Sequence, residues 1–213
     1  MYSKIIEISI GITMKVLIVV LAIFMLSIIG CSNDDEAKYA EGTDAFRSDD
    51  YETALAILTS LAEDGHAEAQ IFLGSMYDLG EGVPQNYETA VKWYTLAAEQ
   101  GHAEAQYSLG FMYDMGEGVP QNDKTAVKWY TLAAEQNHSE AQYSLGFMYG
   151  MGEGVPQNKI YAHMWYNIAT SKGLDSLYRD EIEEYMTAAE IITADQLAVE
   201  CIAKEYKGCM SVY

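Results

Sequence analysis

Positive charge is scarce in this chain. Its 213 residues hold 12 Lys and Arg against 32 Asp and Glu, a formal net charge of −20. Such a surface repels phosphate backbones and anionic headgroups, which excludes nucleic acid and anionic lipid as ligands of the body and steers a basic partner toward it. Proline is scarcer still, with three residues, Pro84, Pro120 and Pro156, each inside the same Gly-Val-Pro-Gln-Asn string. The cysteines are Cys31, Cys201 and Cys209. The long stretch between Cys31 and Cys201 has none, so neither a disulfide framework nor a thiolate metal site builds the middle of the protein. No G-x-S-x-G, no H-E-x-x-H and no Gly-rich phosphate loop with its lysine occurs, and catalysis has no recognisable motif to rest on.

What fills the chain is repetition. Ala67–His102, Ala103–His138 and Ser139–Leu174 are copies of one unit of 36 residues, and the first two differ at seven positions. A fixed period of this length marks an array of stacked supersecondary units. In the first copy Ala69, Phe72, Leu73, Met76 and Tyr77 form one apolar helix stripe, and Ala90, Trp93, Tyr94, Ala97 and Ala98 form a second. Asn86, Asn122 and Asn158 stand two residues after each proline, where an N-cap belongs. Gly101, Asn137 and Gly173 share the register of a left-handed helix stop. One unit is too small to order 36 residues by its own burial, so folding belongs to the stack.

The N-terminus is of another kind. Lys15 precedes the apolar run Val16–Ile29, which ends at Gly30-Cys31-Ser32. A basic residue, a run shorter than the ~20 residues of a spanning helix, and a small residue before a break predict a secretory signal over 1–30. Met14-Lys15 would itself make a good signal start, with 1–13 an upstream extension. Ile28-Ile29-Gly30-Cys31 resembles the lipobox of bacterial lipoproteins. That resemblance implies cleavage between Gly30 and Cys31 and acylation of Cys31, and several acyl chains anchor stably where one does not. The alternative for Cys31 is a buried thiol in an uncleaved signal anchor. Residues 31–36 then read as a lipidated, flexible tether. Removing Met1–Gly30 takes away Lys4, Lys15 and Glu7, leaving 10 basic and 31 acidic residues.

Residues 37–66 read as a helix pair, Ala37–Arg47 and Tyr51–Asp64, with Asp49 or Asp50 capping the second. This pair resembles a tetratricopeptide unit. Beyond Leu174 the period breaks, and 175–213 reads as a cap with helices over Leu177–Met186 and Ala194–Tyr206, capped by Thr187 or Thr193, whose polar outer face shields the last repeat. Cys201 and Cys209 form either a disulfide, with Gly208 letting the chain fold back, or two free thiols.

The three full units resemble the Sel1-like repeat family. The Ala-Glu-Ala-Gln opening, Leu-Gly-x-Met-Tyr, Gly-Glu-Gly-Val-Pro, Lys-Trp-Tyr and the Ala-Ala-Glu-Gln ending all stand here. The resemblance implies an all-α protein, a right-handed α-solenoid of antiparallel helix pairs whose concave face binds other proteins. With no catalytic motif in the chain, neither enzyme activity nor a cofactor is expected. Its core would be Leu73, Gly74, Tyr77 and Trp93, repeated as Leu109, Gly110, Tyr113 and Trp129 and again as Leu145, Gly146, Tyr149 and Trp165, with the tryptophans core before they are a ligand platform. His66, His102 and His138 recur one unit apart, too far to share a metal ion, and read as structural residues near a turn. His163 reads as a packing residue. Glu81, Glu117 and Glu153 are either solvated loop residues or an acidic column for a basic partner or weak Ca²⁺.

The functional expectation is a lipid-anchored adaptor or scaffold on the periplasmic face of the outer membrane, holding a protein or peptide, basic by charge complementarity. One alternative is β-lactam binding or hydrolysis, as in cysteine-rich Sel1-like proteins, although the repeats here carry no cysteine pair. A passive structural lipoprotein is the other.

Overall fold

The computed structural model of the protein describes residues 34–209. The signal segment, Gly30, Cys31 and the start of the tether lie outside the described residues. Among those described, all regular structure is helical, and no helix is long and apolar enough to cross a membrane. The chain divides at Leu61 into two compact units.

The first unit carries α1 (34–47) and α2 (Tyr51–Glu63), the latter running two residues past the boundary. The described part of α1 already includes 34–36, so Asp34, Asp35 and Glu36 belong to a helix and not to a flexible tether. Gly42 faces Leu58, leaving 3.0 Å for a Cβ, so the pair packs closely. Asp50 caps α2, accepting from the Thr53 amide at 3.2 Å, whereas Asp49 takes the left-handed position of the turn at φ 62°.

The second unit holds three antiparallel pairs and a two-helix end. The pairs are α3 (Ala67–Leu79) with α4 (Tyr87–Glu99), α5 (Ala103–Met115) with α6 (Asp123–Ala134), and α7 (Ser139–Met151) with α8 (Lys159–Thr170). Between pairs, α4 packs on α5 and α6 on α7. Local chemistry sets each boundary. Asn86, Asn122 and Asn158 accept from the amide three residues on, at 2.9, 3.0 and 3.0 Å. His66 and His138 cap α3 and α7 through Nδ1, and His102 holds the same place without that bond. Gly101, Asn137 and Gly173 all take positive φ, at 96, 70 and 98°.

The linker inside each pair also joins neighbours. Gly118 and Gly154 sit at φ 70 and 69°, and a Cβ on either would come within 2.4 Å of backbone at Tyr87 and Asp123, the first residues of α4 and α6. Only glycine satisfies both demands.

The end departs from expectation at its boundaries. α9 spans Leu177–Glu183, and α10 spans Ala188–Ala203. α10 starts six residues before Ala194 because Thr187 and Glu190 form a reciprocal capping box. Thr193 lies inside the helix and donates to the Ala189 carbonyl at 2.8 Å. The outer face of α10 is not polar throughout, since Ile192, Val199 and Ile202 are exposed on it. Glu205, Tyr206 and Gly208 take left-handed φ and turn the chain back, and Cys201 and Cys209 are disulfide-bonded with Cα atoms 5.1 Å apart.

Candidate functional site

One motif is built three times. Leu73, Leu109 and Leu145 are buried, and the glycine after each faces a tyrosine of the second helix. A Cβ on Gly74, Gly110 or Gly146 would lie 2.6, 2.8 or 2.7 Å from the ring of Tyr94, Tyr130 or Tyr166. The missing side chain is thus the slot through which a second-helix tyrosine reaches the first helix. In two repeats its hydroxyl meets an acid there. Tyr130 donates to Asp114 at 3.2 Å, and the Tyr94 hydroxyl stands near enough to Asp78 to lower its carboxyl.

Around these hydroxyls the first helices contribute Ser75, Ser108 and Ser144, with Glu104, Tyr107 and Glu140 beside them. Burial raises the carboxyls of Asp78 and Asp114 above the usual range. Repulsion from Glu117 adds to the first and from Asp123 to the second, while the tyrosine bonds oppose both. The Tyr94 and Tyr130 hydroxyls are raised beyond the ordinary phenol range, first by burial and then by Asp78 and Asp114. Glu104 goes the other way, lowered by the bond to His138, whose Nε2 lies 3.0 Å away. The result is a strip of carboxylates, hydroxyls and tyrosines on α3, α5 and α7, able to hold cations and N–H donors.

The third repeat alters the strip. The position of Asp78 and Asp114 is Gly150, and α9 brings Tyr178 against Tyr143, Phe147 and Tyr166, with ring centroids 6.1, 6.0 and 6.3 Å apart. Between α7 and α9 lies a cavity of about 450 Å³ lined by Phe147, Gly150, Met151, Tyr166, Tyr178 and Ile182.

Register along the stack is held by buried glutamines. Gln70, Gln106 and Gln142 donate to the carbonyls of Ala62, Ala98 and Ala134, the last turn of the preceding second helix, at 2.9, 3.1 and 3.0 Å. Gln70 and Gln106 accept in turn from Gln100 and Gln136, both at 2.8 Å. In the third repeat Lys172 replaces that donor. It bonds Gln142 at 2.7 Å and also Asn137, and lies 4.3 Å from the centre of the Tyr206 ring. His163 is likewise more than packing. Buried at 1% exposure, it meets Glu183 of α9 at 2.7 Å and Asn167 at 3.2 Å, and Asn167 bonds Asp195 of α10 at 2.5 Å. Repeats one and two carry Val91 and Val127 at this place. A lone polar residue in an apolar register was the signal for this contact.

The tryptophans do not share one fate. Trp165 is buried, but Trp93 and Trp129 are half-buried, which corrects the expectation of a uniform core stripe. The cause is the C-terminal segment. Trp165 and Ile168 are covered by Ala198, Cys201 and Cys209, and the Gly208 amide bonds Glu135 at 3.1 Å. The matching place in the first repeat is an open groove lined by Trp93, Leu96, Glu99 and Gln100, with Leu96 44% exposed. Tyr77, Tyr113 and Tyr149 are half-buried. The loop acids Glu81, Glu117 and Glu153 lie where each first helix ends in a left-handed glycine, and no group of three metal-ligating side chains occurs among the described residues.

The sequence model of the Sel1 repeat matches residues 67–102, 103–138 and 139–174, just over half of the chain. Among solved structures, the fold is similar to the protective antigen c5321 of uropathogenic Escherichia coli, at 38% identity and a TM-score of 0.65, over 66% of this chain and 31% of that one. It is also similar to a Sel1 repeat protein from Oxalobacter formigenes, at 36% identity and a TM-score of 0.64, over 72% of this chain and 63% of that one. The chain therefore spans about a third of the antigen and under two thirds of the second protein. No curated protein matches it. Three consecutive matched units, the glycine–tyrosine slot in each, and the all-helical stack place this chain in the Sel1 repeat family.

Proposed function

We propose that the protein is a non-enzymatic adaptor, anchored in the cell envelope by lipid on Cys31, that holds a basic segment of a partner protein along the concave face of its solenoid. The observation that carries this reading is the pair Asp78 and Asp114. Each is a half-buried carboxylate whose charge burial disfavours, set beside a tyrosine hydroxyl and with no cationic side chain among the groups that shift it. A partner's Lys or Arg would supply that charge, and the net charge of −20 would draw it in. Serines and tyrosine hydroxyls along the same helices supply hydrogen bonds for a peptide backbone, as a stack of repeats can over an extended surface. Anchoring rests on the Ile28-Ile29-Gly30-Cys31 string and would set the protein on the periplasmic face of the outer membrane.

Crosslinking in intact envelopes, followed by mass spectrometry, tests the adaptor. A specific partner whose contacts map to α3, α5 and α7 and whose affinity falls with salt supports it; binding indifferent to salt overturns the electrostatic part. The anchor has its own test: Cys31→Ala that leaves fatty-acid labelling and membrane fractionation unchanged removes it.

A further inference from the structure

We propose that the cavity between α7 and α9 receives an aromatic side chain of that basic segment, so that the third repeat fixes register while the first two hold charge. This inference rests on the adaptor reading.

The cavity exists because of one substitution within the repeat. Asp78 and Asp114 close the tyrosine hydroxyl in the first two copies, and Gly150 stands in their place in the third. Packing does not demand that glycine. A Cβ at Gly150 would make only ordinary contacts, 3.7 Å to Ala162 and to Ile182, whereas one at Gly146, a turn earlier, would lie 2.7 Å from Tyr166. The backbone of Gly150 does not need glycine either, being helical and absent from the positive-φ positions. Glycine in a helix costs about 0.8–1 kcal/mol relative to alanine. Here that cost is met by no steric or backbone need, and what it leaves is open space.

The lining states what fits. Phe147, Tyr166 and Tyr178 present rings, Met151 and Ile182 add adaptable apolar surface, and the volume of about 450 Å³ exceeds a single aromatic ring with its backbone. Glu181 and Lys159, both exposed, also line the cavity, and Lys159 already donates to the Tyr185 carbonyl at 3.0 Å. Glu181 adds to the raising of the Tyr166 hydroxyl, as Asp78 and Asp114 do for Tyr94 and Tyr130, so the third repeat also sets an acid near its tyrosine. An apolar pocket at the end of an acidic strip matches a segment with an aromatic anchor followed by Lys or Arg.

The experiment is selection of a displayed library of short random peptides on the full chain, its Gly150→Asp variant and its Gly150→Ala variant. Peptides enriched on the wild type should carry basic residues and one aromatic residue. Synthetic copies should lose about tenfold or more in affinity when that residue becomes alanine, the value of partly burying one ring. Gly150→Asp should still enrich basic peptides but with the aromatic preference gone. Gly150→Ala, whose Cβ would make only ordinary contacts, is the folding control and shows that the helix tolerates a side chain. Basic peptides enriched without any aromatic residue would overturn the pocket and leave the adaptor standing. An aromatic preference unchanged by Gly150→Asp would place it elsewhere and overturn the pocket as well. No enrichment of basic peptides on any of the three would overturn both readings.

Discussion

The ring of Tyr130 lies against the backbone of Gly110, so close that a Cβ there would sit 2.8 Å from ring Cδ1. Twenty residues separate the two in sequence, and the pairing recurs as Gly74 with Tyr94 and Gly146 with Tyr166. The slot couples three levels: it brings the helices of a pair together, buries the tyrosine, and delivers its hydroxyl to Asp114.

That relationship sets two glycines of one helix against each other. Gly146→Ala must push the Tyr166 ring aside, an overpacking cost of about 1–3 kcal/mol that the helix-propensity gain of about 1 kcal/mol only partly offsets. Gly150→Ala meets no such ring and should stabilise by about 0.5–1 kcal/mol. Urea unfolding of the two variants against wild type reads the opposite signs directly. Equal signs would mean that the slot is slack.

Gln106 is predicted to matter more than an ordinary surface amide. It is 4% exposed, donates to the Ala98 carbonyl and accepts from Gln136. Gln106→Leu removes a buried bond to the Ala98 carbonyl, which keeps the Gly101 amide at 3.0 Å, and leaves Gln136 only its long bond to the Leu132 carbonyl at 3.4 Å, at a cost of about 0.5–1.5 kcal/mol at this junction between repeats. Gln136→Ala alone should cost less, since its side chain is more accessible. A double-mutant cycle by chemical denaturation should return coupling of about 1 kcal/mol; additive effects would show that the bond carries no register energy.

These residues also show why parts of the molecule are legible in sequence and others are not. Caps and helix stops depend on a residue and its near neighbours, so Asn86, Asn122, Asn158, Gly101, Asn137 and Gly173 can be placed from the string alone. The aromatic stripes fall on the expected helices for the same reason. Burial of Trp93 and Trp165, by contrast, depends on what the chain lays over them, and identical spacing produces different outcomes. His163 does not read as a hub because Glu183 lies 20 residues away, in a segment outside the repeat. The start of α10 is written in the Thr187–Glu190 box, but Thr193 six residues on offers a rival cap from sequence, and only the structure shows it inside the helix, donating to the Ala189 carbonyl.

The Cys201–Cys209 bridge closes a loop with a sequence separation of 8 over Trp165 and Ile168. Loop-closure entropy for so small a ring is worth about 2–3 kcal/mol. Replacing both cysteines with alanine should lower stability by that order and loosen the turn. In a Trp93→Phe, Trp129→Phe background, Trp165 emission should then shift to the red and its quenching by iodide should rise. Unchanged emission would show that α10 alone covers the ring.

Asp114 and Glu104 should respond to pH with opposite signs, though both lie on α5. Burial raises the Asp114 carboxyl above its ordinary value of 3.8, so the native state holds its proton more tightly than the unfolded chain does. Stability from this group falls as pH rises from that ordinary value through the raised one, and the penalty persists at neutral pH. Asp114→Asn keeps an oxygen for the Tyr130 hydroxyl and removes the penalty, so it should stabilise at pH 7 and gain nothing under acid conditions. Glu104 is lowered by its bond to His138, so its contribution is complete above the ordinary value of 4.5 and lost as pH falls through the lowered one. Glu104→Gln should therefore destabilise at pH 7 and do little in acid. If Asp114→Asn stabilises the fold and at the same time weakens capture of the basic partner, the carboxylate is kept for binding at the expense of stability; if it does neither, the strip is ordinary surface.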